Sequence, residues 1–185
     1  MRYLGVAVVA LLASAAADAQ LWQSRTVSLG AAGAVSFELS PESRPGEDYV
    51  FNNAIMPSVF IGVPVMGDTL IRLRAFDLAH EQVVGEDVID SRLRGVTVGV
   101  DYFMVSTFGR TLFSGGLGSY LLDLEGDPAN AEEIETWDFG WFVGVGEWIT
   151  MTRQSQLTFE LSYHRTNHPD SPQFLSAQLG LAYTF

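Results

Sequence analysis

The 185-residue chain is acidic and free of cysteine, and these two properties exclude several classes of protein. Its ten basic residues are all arginine, and its 22 acids give a formal net charge of −12. Such a chain is a poor partner for nucleic acid, because the phosphates and the protein would repel each other. Without thiols it has neither a disulfide framework nor a thiolate metal site, and we expect no bound cofactor.

The first 19 residues have the features of a secretory signal peptide. Arg2 supplies a positive charge, residues 4–17 form an apolar core, and Ala17 and Ala19 mark a small-x-small cleavage site before Gln20. We expect this segment to be removed after export. The remaining residues, 20–185, are enough for one domain with its own core.

The mature chain alternates bulky residues with small or polar ones in eight segments, which is the period of a β-strand. These segments are about as long as a tilted strand needs to be to cross a hydrocarbon layer, and long acidic connections alternate with short tight ones. The pattern predicts an all-β fold, an eight-stranded antiparallel transmembrane β-barrel. The predicted strands are residues 25–39, 49–65, 70–78, 92–104, 111–124, 137–146, 156–164 and 174–185.

The two walls of these strands indicate which solvent the protein occupies. One wall carries bulky Val, Leu, Trp and Phe, and the other carries Gly, Ala and Ser with isolated charges. A narrow barrel lumen suits small residues and ion pairs, whereas the bulky wall suits lipid. A soluble exported β-sandwich is the alternative, and it would turn the bulky wall into a shared core. We interpret the lumen charges as a structural ion network rather than an ion path. They are Arg72, Arg74, Asp101, Asp138 and Glu160.

Residues near the strand ends predict contacts with lipid headgroups. Arg92 and Arg94 lie near the outer end of their strand, where they meet either lipid phosphates or water. Aromatic side chains that combine an apolar ring with a polar edge favour the same level of a bilayer. The predicted aromatic belt consists of Tyr102, Trp137, Trp148 and Tyr163.

The connections and the last strand predict two kinds of partner. Residues 81–90 and 125–135 are acidic, so we expect them to face outward and to interact with lipopolysaccharide through divalent cations, which remove the charge repulsion. The final strand ends in Phe185 and resembles the C-terminal insertion signal of bacterial outer-membrane proteins. That resemblance implies recognition by the barrel assembly machinery.

Residues 164–168, His-Arg-Thr-Asn-His, carry the chemistry of this sequence. A histidine beside a hydroxyl can form a general base and nucleophile pair. With its flanking strands, this stretch resembles the lipid A 3-O-deacylase (acyloxyacyl hydrolase) family of eight-stranded outer-membrane barrels, which has a catalytic His-x-Ser-Asn there. The resemblance implies ester hydrolysis on lipopolysaccharide, with His164, Thr166 and Asn167 as catalytic residues. Thr166 replaces the family's serine, and no acid follows Asp170 to match the family's catalytic glutamate.

Several hypotheses about function follow. A non-enzymatic envelope or surface protein of the outer membrane, not a general pore, is the preferred one, and a lipid A deacylase is the alternative. Strict alternation places His164 on the lumen side, although a β-bulge would turn it towards lipid, where the family's active site is expected. A metal site formed by His164, His168 and Asp170 is a third possibility, and solvated rim residues are the simplest reading.

Overall fold

The computed structural model describes residues 27–39, 55–84, 87–125, 136–167 and 173–185. The signal peptide, residues 1–19, and the boundary at Gln20 lie outside these ranges. The described residues form a closed barrel in which each strand pairs with its neighbours in sequence and the last pairs antiparallel with the first. Its strands are β1 (Ser28–Glu38), β2 (Met56–Met66), β3 (Thr69–Val84), β4 (Asp87–Val105), β5 (Arg110–Glu125), β6 (Thr136–Thr150), β7 (Ser155–Thr166) and β8 (Gln173–Thr184).

The predicted all-β, eight-stranded antiparallel barrel is therefore confirmed. Across the described ranges, no helix has the length and apolar character required to span a bilayer.

The stagger of the strands determines how steeply they cross the barrel wall. Register partners followed once around the barrel from Val105 of β4 return to β4 at Gly95, a stagger of ten residues. In an eight-stranded barrel, a stagger of this size corresponds to strands tilted by about 40°. Strands tilted in this way surround a narrow interior that side chains can fill.

The two ends of the barrel differ in their connections. At one end, the strands join through short turns at residues 67–68, 106–109 and 151–154. Gly67 occupies the left-handed region with φ 53°, which allows the tight β2–β3 turn. Both Val27 and Phe185 lie at this end, joined by a hydrogen bond from Phe185 N to Val27 O of 3.0 Å. We call this the turn end, and the opposite end, where β1 leads to β2 and β5 leads to β6, the loop end.

The outer wall is apolar, as predicted. Side chains of alternate residues on every strand point outward, and Leu117 and Phe139 are each 65% exposed. In water, a continuous wall of this kind would aggregate, whereas lipid solvates it. The closed barrel rules out the soluble sandwich, because the bulky wall faces outward and not into a core shared by two sheets. We therefore treat the chain as a transmembrane barrel.

The interior contains more bulk than the sequence pattern predicts. Inward-facing glycines leave room for rings from neighbouring strands: a Cβ built on Gly30 would lie 2.2 Å from the Phe60 ring, and one on Gly95 would lie 2.5 Å from the Phe76 ring. The lumen is thus lined by glycines, with large side chains packed over them. The predicted position of Trp148 in an outer belt is wrong, because its side chain points inward and is 5% exposed.

Two predicted strands are longer than the sequence indicates. The alternation predicts strands that end at residue 78 and begin again at residue 92, but β3 continues to Val84 and β4 begins at Asp87, with His80 paired to Ser91 and Val84 paired to Asp87. Antiparallel pairing with an adjacent partner satisfies the backbone of such a hairpin even where its composition is polar. Residues 126–135 lie outside the described ranges.

Candidate functional site

A cluster of four charged side chains occupies the middle of the barrel. Glu160 of β7 accepts hydrogen bonds from Arg72 (Nη1–Oε2 2.7 Å, Nη2–Oε1 3.1 Å) and from Arg74 (Nη2–Oε2 2.5 Å). Ser162 also donates to Glu160 (Oγ–Oε1 2.8 Å), and the Arg72 Nε atom lies 2.9 Å from Asp101 Oδ2. The four charges sum to zero and are nearly inaccessible, which is the arrangement that lets charges persist inside a protein. We call these residues the central charge cluster.

The predicted lumen location of these four residues is confirmed. Asp138, the fifth predicted lumen charge, is half-buried on the inward face of β6. Within the described part of the chain, several buried polar atoms have no hydrogen-bond partner, among them Nε and Nη1 of Arg74 and Oδ1 of Asp101. Such atoms could bind internal water, so this layer is more polar than its ion pairs alone indicate.

Apolar clusters close the interior on both sides of these charges. The turn-end cluster contains Phe60, Leu70, Phe103, Leu112, Trp148 and Ala182. Phe103 and Trp148 meet edge to face with ring centroids 5.0 Å apart. The loop-end cluster contains Ala34, Phe76, Leu78, Leu93, Tyr120 and Phe174. The alternation did not reveal these clusters, because the inward wall was expected to carry mainly small residues and isolated charges.

His164 lies beside the loop-end cluster and is enclosed by aromatic rings. Its imidazole stacks on Phe142 at 5.7 Å between centroids and packs at 5.2 Å against Phe76. Its Nδ1 atom is 3.2 Å from the Tyr120 hydroxyl, and its Nε2 atom is 3.5 Å from the Ser176 hydroxyl. The side chain has no solvent-exposed surface. Both ring nitrogens therefore have partners inside the protein, and the imidazole has no open face.

The three candidate catalytic residues do not all share one side of the wall. Thr166 is 2% exposed and follows His164 on the inward face of β7. Asn167 is exposed just beyond the end of the strand, where its backbone N–H donates to the Phe139 carbonyl oxygen at 2.8 Å. Alternation continues to the end of β7, so His164 faces the lumen as the sequence predicted. His168 and Asp170 lie outside the described residues, as does the metal site proposed with them.

A second polar feature lies on the outer wall towards the loop end. Arg92 of β4 forms a two-pronged ion pair with Asp77 of β3, with Nε 2.7 Å from Oδ1 and Nη2 close to Oδ2. Arg94, two residues along β4, approaches the same carboxylate at 3.8 Å. Asp77 did not emerge from the sequence, because only the β3–β4 register brings it beside these arginines.

Comparisons with known proteins define the fold but not a family. No protein-family model matches the chain, and no curated protein is detectably similar to it. Solved structures do match. They include Neisserial surface protein A (NspA; 12% identity, TM-score 0.59, 87% of this chain and 97% of that one). Another is Ail, the attachment invasion locus protein of Yersinia pestis (12% identity, TM-score 0.52, 87% of this chain and 97% of that one), also solved with the heparin analogue sucrose octasulfate. A third is the outer membrane protein OprG of Pseudomonas aeruginosa (13% identity, TM-score 0.55, 87% of this chain and 95% of that one).

These likenesses concern the arrangement of the strands. At such low identity they show that the chain has the small barrel fold of bacterial outer-membrane proteins, spanning nearly the whole length of each of these proteins. The chemistry of the interior and of the rim has to be argued from this chain's own residues.

Proposed function

We propose that this protein is a non-enzymatic surface protein of the outer membrane of a Gram-negative bacterium and that it does not act as a diffusion pore. The observation that carries this proposal is the filled interior. The turn-end cluster, the central charge cluster and the loop-end cluster follow one another along the barrel axis. Because side chains pack this lumen, the outer surface and the connections are where partners can bind.

Lipopolysaccharide is the partner that the acidic residues at the loop end favour. Residues 81–90, most of which extend the β3–β4 hairpin, and residues 125–135 would repel lipid phosphates directly, so bridging Mg²⁺ or Ca²⁺ with oxygen ligands is required. Ail in complex with a sulfated sugar analogue supports the idea that a barrel of this fold can hold an anionic saccharide. The last strand, with exposed Phe185 at the turn end, is the proposed contact for the barrel assembly machinery.

We expect the mature protein to fractionate with outer membranes and to run at different positions on a denaturing gel before and after boiling. The physical reason is that a closed barrel with an apolar outer wall is solvated by lipid or detergent and resists unfolding in detergent. Membrane fractionation followed by boiled and unboiled electrophoresis measures both properties. Recovery of folded protein from the periplasmic soluble fraction would contradict the proposal.

Conductance in a planar bilayer tests separately whether the barrel is a pore. Purified barrel inserted into a planar bilayer should show no steady conductance, because apolar side chains occupy both ends of the lumen. Steady open-channel currents from most inserted molecules would show that the lumen is open and would favour a transport function.

The deacylase hypothesis remains the alternative. The His-x-Thr-Asn motif at the loop end of β7 supports it. Against it, the His164 imidazole is enclosed by Phe76 and Phe142 and faces the lumen, away from the acyl chains of the bilayer. A general base must reach the proton that it removes, and a rearrangement of β7 would be needed to bring His164 to lipid.

We therefore expect no deacylation of lipid A by the refolded protein. An orienting carboxylate from the family's glutamate position is missing, and loss of the orienting carboxylate lowers turnover about 10⁴-fold in serine proteases. Mass spectrometry of lipid A after incubation measures the result. Loss of one hydroxyacyl chain, abolished by His164→Ala and by Thr166→Ala, would instead establish the esterase.

A further inference from the structure

We propose that Arg94, together with Arg92, binds a phosphate group of lipid A on the outer wall of the barrel. This inference rests on the proposed outer-membrane location and goes beyond it by naming a site and its ligand. It concerns the lipid that surrounds the barrel wall, and is separate from the cation-bridged contacts proposed for the acidic segments 81–90 and 125–135.

The geometry of the pair leaves Arg94 available for a ligand. Asp77 is engaged by Arg92 through two guanidinium nitrogens, and its nearest approach to Arg94 is 3.8 Å. Among the side chains that the structure describes, none forms a hydrogen bond with the Arg94 guanidinium, and 42% of the Arg94 side chain is exposed. Arg94 thus presents a planar set of N–H donors that face outward.

The position of Arg94 along the barrel places it at the level of lipid headgroups. Tyr102, an outward residue of the predicted belt, is 52% exposed near the turn end of the same strand, eight residues from Arg94. A strand rises about 3.3 Å per residue and is tilted by about 40°, so the two side chains are about 20 Å apart along the membrane normal. That separation approaches the apolar band of about 25 Å that such barrels present to lipid.

The neighbours of Arg94 extend this interfacial position around the wall. Arg94 is the register partner of Leu121, and Leu121 is the register partner of Trp137. Trp137 is exposed, whereas Leu121 is 5% exposed although it faces outward. The flanking side chains therefore cover this leucine. Trp137 is thus two strands away from Arg94, and the presence of tryptophan and arginine on one region of a lipid-facing wall is typical of the boundary between acyl chains and headgroups.

The incomplete pairing of Arg94 favours a phosphate as the ligand. Arg94 and Arg92 have Asp77 and Asp123 as register partners, so the two cations and two carboxylates balance. Arg92 takes Asp77 in its two-pronged pair, and the Asp77 carboxylate comes no nearer to Arg94 than 3.8 Å. A guanidinium fork matches two oxygens of a phosphate, and this pairing is stronger at a partly dehydrated interface than in water. The long-connection end of such barrels faces outward, so the phosphate within reach belongs to the outer leaflet, where lipid A is the phosphorylated lipid.

Binding can be measured on the folded, full-length barrel in detergent micelles. Native mass spectrometry would count bound molecules during a titration with bisphosphorylated lipid A. Arg94→Gln should weaken binding about tenfold, since it removes a charged hydrogen-bonding partner. Asp77→Asn should strengthen binding several-fold, because it removes the carboxylate that competes for both arginines. A merely structural role for this ion pair would not produce that gain.

Arg153→Gln is the matched control, because Arg153 is exposed in the turn at residues 151–154 at the opposite end. It should leave lipid A binding unchanged. Equal losses of lipid A binding for Arg94→Gln and Arg153→Gln would overturn the site. Binding of phosphatidylglycerol as tight as that of lipid A would also overturn it. Gel mobility before boiling reports folding, and Arg94→Lys, which keeps the charge, tests the site if the glutamine variant folds poorly. The binding assay uses purified protein, so its failure is distinguishable from mislocalisation in cells.

Discussion

Replacement of Glu160 by glutamine should lower the free energy of unfolding by about 3–5 kcal/mol, the cost of leaving buried charge without its partner. Glu160 receives three hydrogen bonds from two buried arginines and one from Ser162. The amide has nearly the same shape but carries no charge, so Arg72 and Arg74 would share Asp101 as their remaining counter-ion. Urea unfolding in lipid vesicles, followed by gel mobility, measures the loss.

Glu147→Gln is the matched control for this change. Glu147 is half-buried near the turn end and accepts hydrogen bonds from the hydroxyls of Ser106 and Thr111. Its loss should cost about 1 kcal/mol, the usual net contribution of a hydrogen bond. Losses of equal size at the two positions would show that Glu160 does not hold the central charge cluster together. The double variant Glu160→Gln/Arg74→Leu should lose less free energy of unfolding than the sum of the two single losses, because Glu160 and Arg74 interact directly.

Arginine in place of Val98 should destabilise the barrel in lipid by about 2–4 kcal/mol, the cost of a cation at the middle of the apolar band. Val98 is 52% exposed and lies on β4 halfway between Arg94 and Tyr102. Its register partners are Leu73 and Leu117, so the introduced charge would find only apolar neighbours on the wall. Unfolding in vesicles of defined thickness measures the effect.

Two comparisons make this result specific for lipid. Val98→Leu keeps the site apolar and should change stability by less than 1 kcal/mol. An additional arginine near Arg94, at the headgroup level, should be tolerated far better than one at Val98 because the cost falls towards the interface. If Val98→Arg were neutral in vesicles, the outer wall would not be embedded in lipid at this height.

The strand architecture could be predicted because it depends on the local alternation of side chains. In β8, bulky Leu179, Leu181 and Tyr183 alternate with Gly180 and Ala182, and the structure places them on opposite faces. The same parity correctly placed His164 in the lumen. Strand ends were less predictable, since backbone pairing can extend a hairpin through polar residues, as it does between β3 and β4.

The candidate sites were only partly predictable. Parity predicted that four charged side chains point inward: Arg72, Arg74, Asp101 and Glu160. It did not predict that both arginines contact Glu160. Trp148 was misplaced because a tryptophan near a strand end is equally suited to an interfacial belt or to an interior that has room for it. The space that receives it is created by neighbouring strands and cannot be read from its own segment.

The sequence by itself determined the all-β class, the number of strands, the face on which most side chains lie and the apolar character of the outer wall. Each of these depends on residues one or two positions apart, where the geometry of the pleat alone acts. Only the tertiary structure decided the stagger of ten residues, and with it which side chains share a layer. That stagger brings β3 and β7 together at the central charge cluster and encloses His164 among rings. The register of the β3–β4 hairpin pairs Asp77 with Arg94 and brings its carboxylate within reach of Arg92. Such contacts join residues far apart along the chain, and they form only when the closed wall fixes all eight registers together.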